Sequence, residues 1–287
     1  SDNVTTSNEL KIAPASATVN VGSYVNLTAT YYTYTYTNGT LTNTATQNVT
    51  SSAAWSSSST ARATVSAGKV SGVSAGSATI TATYSGKSAT ASVTVKDVVT
   101  YGYELKLSPV SATVNVGSTT SFSAVYYTYT YTNGVKTNTS SSVVTAAASW
   151  SSSSSAIATV SGGTARGVSA GTATITATYN GYTATATVTV KDVITYAYEL
   201  KITPASATIY VGGSRAFTVT YYTYTYTNGN LTNTSSSNVT SSASWSSSST
   251  AVATVSSGTA TGRSAGTATI KATWSGKSAT ASLTVHD

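Results

Sequence analysis

The chain has 287 residues, of which 7% are charged, with a formal charge of +7, no Cys and no Met. Such a composition excludes a disulfide-stapled fold, and no apolar run approaches the ~18 residues of a bilayer span, so no membrane insertion is expected in this segment. The positive charge would suit nucleic acid, but Lys11, Arg62, Lys69, Lys87 and Lys96 are scattered, whereas phosphate binding needs a stripe.

In chain order, KIAPASATVNVG (11–22) carries Pro14, which suits an edge strand or a switch between sheets. YVNLTATYYTYTYT (24–37) alternates and ends at Asn38-Gly39, a strong hairpin signal. The residues between Gly22 and Asn38 would reach about 50 Å if extended, well beyond an ordinary strand. A bulge that bends the run from one sheet to another, or a hairpin that projects beyond the sandwich, is expected. Parity puts Val25, Leu27, Ala29 and Tyr31 on the core face and Tyr32, Tyr34 and Tyr36 on the other. Trp55 reads as a core residue, a surface Trp for stacking being the alternative. ARATVSAGKVSGVSAGSATITATY (61–84) then alternates across Gly68, Gly72 and Gly76, and Ser85-Gly86 turns it into KSATASVTVK. Val65, Val70, Val73, Ile80, Ala82, Val93 and Val95 are expected to fill the core.

The whole pattern recurs in register. YYTYTYTNG stands at 31–39, 126–134 and 221–229, a period of 95 residues that Trp55, Trp150 and Trp245 share. Ig-like modules at 1–96, 97–191 and 192–287 follow. About seven short strands per module, with turns every 8–12 residues, predict an all-β fold: three tandem immunoglobulin-like antiparallel β-sandwiches. The junctions VKDVVTYGYELKL (95–107) and VKDVITYAYELKI (190–202) hold no Pro and no Gly/Ser run, which predicts a semi-rigid rod. Tyr101, Tyr103, Tyr196 and Tyr198 are expected to pack against the neighbouring module.

Chemistry is scarce. The one histidine is His286, and the acids Asp2, Glu9, Asp97, Glu104, Asp192, Glu199 and Asp287 all lie at module boundaries. Without a base beside its serines the chain reads as no enzyme, and no cofactor or metal site is expected. Asp97 with Glu104, or Asp192 with Glu199, offers too few carboxylates for a tight Ca²⁺ site. An isopeptide bond from Lys11 would need an acid inside a module, and there is none.

The stretch NVTSSAAWSSSSTARATVSAGKVSGVSAGSATITATYSGKSATASVTV (48–95) resembles the bacterial immunoglobulin-like domain, group 2, through its W-S-S-S, A-T-V, A-G-S-A-T-I-T-A-T and closing S-V-T-V runs. The resemblance covers nearly all of each module. It implies an antiparallel sandwich used as a spacer, stalk or binding module in intimin- and invasin-type adhesins, bacterial surface proteins and phage virions, and no shared catalytic residues. A structural and adhesive spacer at an extracellular, cell-surface or virion surface is therefore expected. The candidate surface is one tyrosine stripe per module: Tyr32, Tyr34, Tyr36; Tyr127, Tyr129, Tyr131; and Tyr222, Tyr224, Tyr226. Two further readings stay open for it, a glycan or host receptor stacked on the rings, and self-association into a fibre or oligomer.

Overall fold

The computed structural model describes residues 1–287 and is all-β, with the same ten strands in each repeat. In the first repeat they are β1 (Val4–Ala13), β2 (Ser16–Asn20), β3 (Tyr24–Asn26), β4 (Thr28–Thr37), β5 (Thr40–Asn48), β6 (Ala54–Ser57), β7 (Ala63–Ser66), β8 (Lys69–Gly72), β9 (Gly76–Tyr84) and β10 (Lys87–Lys96). They form sheets of order β1-β4-β5, β2-β10-β9-β6 and β3-β8-β7, and the order recurs in each repeat. The fold is three tandem immunoglobulin-like β-sandwiches. Pairing is antiparallel except that β2 lies parallel to β10, from Ser16↔Ser92 to Asn20↔Lys96.

There are ten strands where about seven are expected, and two of the additional ones arise because long runs are cut where the chain changes sheets. Pro14, with no N–H to give a ladder, stands between β1 and β2. At Leu27 the N–H turns to the carbonyl of Gly68 (2.8 Å), and the chain leaves the β3 sheet for the β1-β4-β5 sheet. The long tyrosine run is thus divided at Leu27, which is only 1% exposed. Burying such a leucine side chain is worth roughly 1.5–3 kcal/mol.

The chain divides into two compact units, Ser1–Leu105 with Val125–Val143, and Lys106–Ala124 with Val144–Asp287. The first unit contains the whole first sandwich. Its core joins Leu10, Ile12, Val19, Leu27, Ala29, Val49, Val70, Ile80, Val93 and Val95. Val65, Trp55, Tyr31 and Tyr84 pack against that core, partly buried. Buried Ala63, Ala78, Ala82 and Ala91 let the sheets approach closely. The second unit contains the whole third sandwich, where Leu200, Ile202, Phe217, Val219, Ile270, Leu283 and Val285 play the same part. Val73 departs from the expectation of a core residue. It is 47% exposed, because β8 ends at Gly72 and the chain there leaves the ladder, the Val73 N–H donating to the Arg62 carbonyl (2.8 Å).

Three of the four tryptophans, one per repeat, are held as well as packed. Trp55 Nε1–H donates to the Thr50 carbonyl (2.8 Å), and Thr50 Oγ1 accepts from the Ala29 N–H (2.9 Å). Trp150 with Thr145 and Trp245 with Thr240 repeat the indole bond. The indoles serve the sandwich, so the surface-stacking alternative falls away.

Candidate functional site

The sheet β1-β4-β5 carries the tyrosines. Its β4–β5 hairpin closes on Asn38 (φ 52°) and Gly39 (φ 80°), two consecutive left-handed residues that match the twist of the flanking strands. The tip is bonded to the start of its own repeat. Asn38 N–H donates to the Asn3 carbonyl (2.9 Å), the Asn3 N–H to Asn38 Oδ1 (3.0 Å), and Asn38 Nδ2 to Asp2 Oδ1 (3.0 Å). Asn133 makes the same clasp with Val98 and Asp97, and Asn228 with Val193 and Asp192.

β1 pairs with β4 without interruption from Val4↔Thr37 to Ala13↔Thr28, so parity is kept along the whole run. The register shift between Thr35 and Tyr36 affects only the β4–β5 ladder, where Thr42 is the extra residue. Glu9 stands opposite Tyr32, Ser7 opposite Tyr34 and Thr5 opposite Tyr36, and directly paired residues share a face. Tyr31 lies on the other face and meets Tyr84 edge-on, ring centroids 5.3 Å apart.

The stripe Tyr32, Tyr34, Tyr36 faces away from the sandwich core, but its rings are half-buried. The same holds for Tyr127, Tyr129, Tyr131 and for Tyr222, Tyr224, Tyr226. Tyr32 and Tyr34 stack nearly parallel (6.1 Å, 13°), as do Tyr127 with Tyr129 and Tyr222 with Tyr224. Lysines close over the rings: Lys11 over Tyr32 (5.0 Å), Lys136 over Tyr129 (3.8 Å) and Lys201 over Tyr222 (5.1 Å). The middle hydroxyl is spent on a glutamate. Tyr34 donates to Glu9 (2.9 Å), Tyr129 to Glu104 (2.6 Å) and Tyr224 to Glu199 (2.6 Å). That bond holds the Tyr129 hydroxyl up to about 12, helped by desolvation and by the Glu104 charge. Tyr34 and Tyr224 are raised for the same first reason. Glu9 is lowered by the Tyr34 bond and by Lys11, whose Nζ lies 3.2 Å away.

The boundary acids are therefore committed in the same way three times over. Asp97 holds a hairpin tip, and Glu104, seven residues further along an extended run of about 23 Å, holds a tyrosine. That separation is too great for one cation to bridge. Lys11, the lysine considered for a covalent cross-link, is half exposed and paired with Glu9.

Parity also locates a second aromatic row that the sequence reading assigned to a neighbouring module. Tyr198 and Tyr196 share the face of Leu200, and Leu200 is paired with Tyr221. Tyr196 stacks on Tyr198 (6.5 Å) and Tyr198 on Tyr221 (5.8 Å), all within one repeat, with Tyr196 58% and Tyr198 43% exposed. Tyr103 stacks likewise on Tyr126 (5.8 Å). The signal was present in the alternation Tyr196, Tyr198, Leu200, which places all three on one side of the strand.

No protein-family model matches the chain, and no curated protein is similar to it at a significant level. Among solved structures, surface layer protein SbsC domains 1–6 is 16% identical, over 91% of this chain and 45% of that one, with a TM-score of 0.23. The protocadherin gamma B7 cadherin domains 1–4 are 12% identical over 97% and 76% (TM-score 0.38), and Drosophila N-cadherin EC1-4 is 10% identical over 98% and 75% (TM-score 0.28). The chain spans less than half the length of the surface-layer chain it matches. With TM-scores this low, the sandwich assignment rests on the strand order and cores described above.

Proposed function

We propose that the chain is a structural and adhesive spacer, without catalytic activity, from an extracellular bacterial surface or phage virion protein, built of group 2 immunoglobulin-like modules at 1–96, 97–191 and 192–287. The observation that carries the reading is the threefold use of the same polar groups for construction. Six of the seven acids repeat one clasp and one tyrosine bond, and Asp287, beside the single histidine, is left over. Ionisable groups spent identically in every repeat support a scaffold. An active site would be expected to break the repetition somewhere.

The exposed β1-β4-β5 sheet is then the surface for partners. A glycan reading of the stripe is less well supported, because a sugar stacks on a free ring face, and in each stripe two of the three rings stack on each other with a lysine over one of them. The test is surface labelling of the producing cell or virion with an antibody against the modules, with and without protease shaving. Signal lost on shaving supports the proposal, and a protein protected inside intact cells overturns it. Changing Tyr32, Tyr34 and Tyr36 to Ser, with their counterparts, should leave glycan retention unchanged.

A further inference from the structure

A sheet edge is a row of unpaired N–H and C=O groups, and folded proteins guard such rows with short strands, charge or proline. This chain guards nearly all of them. The edges β2, β3, β6 and β7 are three to five residues long. The long edge β1 carries Glu9 and Lys11. β5 has no such guard. It is nine residues long, TLTNTATQN, without charge or proline, and every residue is exposed. Its third-repeat counterpart, Asn230–Asn238, is equally uncharged, and the second, Val135–Val143, has only Lys136 near the turn.

The direction of the free groups follows from the ladder. The Val49 N–H donates to the Ala29 carbonyl, so the positions bonded to β4 alternate as Val49, Gln47, Ala45 and Asn43. Thr44, Thr46 and Asn48 therefore turn their N–H and C=O groups to the open side.

We propose that β5 is a self-pairing edge, and that its occupant is the β5 of a second copy of this chain, antiparallel, with the twofold axis at Thr46. Thr46 then faces its own equivalent and Thr44 faces Asn48, giving about six main-chain hydrogen bonds. Self-complementarity selects the partner. In a chain of net charge +7, β5 places no charge opposite itself, and Thr–Thr and Thr–Asn pairs fit across strands. One such contact is small and weak, and three edges per chain strengthen it by multivalency. The inference names the partner of the adhesive surface and rests on that reading.

The test is the mass of the full chain by sedimentation equilibrium over a wide concentration range. Mass should climb from 28.9 kDa to at least twice that. Thr46→Pro, Ser141→Pro and Ser236→Pro together delete donors that face outward, and should hold the chain at the monomer mass with its circular dichroism kept. The same three positions changed to Lys keep the N–H and should act alike if the Pro variant misfolds. The chain has no Cys, so Thr46→Cys should oxidise to a disulfide-linked dimer, while Leu41→Cys, near the hairpin turn and far from the axis, should do so markedly less. A monomer at every concentration, unchanged association of both triple variants, or equal cross-linking at the two cysteines overturns the inference. Dimerisation of a chain shown to be cytosolic would leave this inference standing and remove the surface reading. A monomer on the cell surface would do the reverse.

Discussion

Gly68 shows how tightly single residues are fixed. Its φ is +81°, and a Cβ there would press on the Leu27 carbonyl and lie 2.6 Å from Thr50 Cγ2, with Trp55 just beyond. Gly163 and Gly258 sit against the same three neighbours in their repeats. Gly68→Ala should therefore lower stability by about 1–3 kcal/mol in a denaturant titration, through both strain and displacement of the Leu27 carbonyl. Leu27→Ala should cost about 2–5 kcal/mol, as a fully enclosed leucine does. Ionisation gives a third check. Tyr129 has its pKa raised to about 12 when folded and near 10 when unfolded, so its contribution is full below pH 10 and lost as pH climbs through about 12. Tyrosine absorbance at high pH should show a late step that Tyr129→Phe diminishes, Tyr34 and Tyr224 being raised as well. Glu9 behaves oppositely. Its pKa is depressed below the ordinary 4.5, so its contribution is present above that value and lost on acidification through the lower, folded one.

At the scale of elements, the hairpin sheet depends on its clasp. Asn38→Ala removes two side-chain hydrogen bonds and a residue that tolerates the left-handed turn. It should loosen the tip by about 1 kcal/mol and speed amide exchange in β5 while leaving β9 and β10 protected. Asn38→Asp keeps the turn but sets a carboxylate against Asp2, so it should also loosen the tip. Much of this sheet was legible in the sequence. Asn38-Gly39 announces the turn, and simple alternation separates Tyr31 from Tyr32, Tyr34 and Tyr36. The change of sheet at Leu27 was less so, because it depends on Gly68, far away in sequence. Strands as short as β3, β6, β7 and β8 hold too few residues to display a period. Val73 looked like core because the alternation runs through it, whereas the ladder stops at Gly72. The tyrosine–glutamate bonds join residues 25 apart, a pairing that only the β1–β4 register reveals.

For the whole molecule, the relevant fact is that pairing closes within each repeat. Every sheet of the third repeat, from Ile194 to His286, is made of its own strands. Residues 192–287 alone should then fold cooperatively, with a β-type circular dichroism spectrum and a single thermal transition. A molten or aggregated product would show that a sandwich needs its neighbour. Folding should be slow for the size, since β2 must find β10 across most of the repeat.

The parallel pairing of β2 with β10 has a mechanical consequence. Tension on the chain ends pulls β2 towards its N-terminus and β10 towards its C-terminus. Partners that run in the same direction are then dragged lengthwise past each other, and their bonds must fail together. An antiparallel pair pulled from one end opens bond by bond. The bonds from the Val21 N–H to the Lys96 carbonyl (2.9 Å) and from the Ser92 N–H to the Ala15 carbonyl (3.0 Å) mark the two ends of that seam. In single-molecule stretching each repeat should give way at a high force, and Ala17→Pro, which removes a donor from the seam, should lower that force far more than it lowers the melting temperature. A module loaded in shear resists a tether's pull through its geometry, at no cost in added stability.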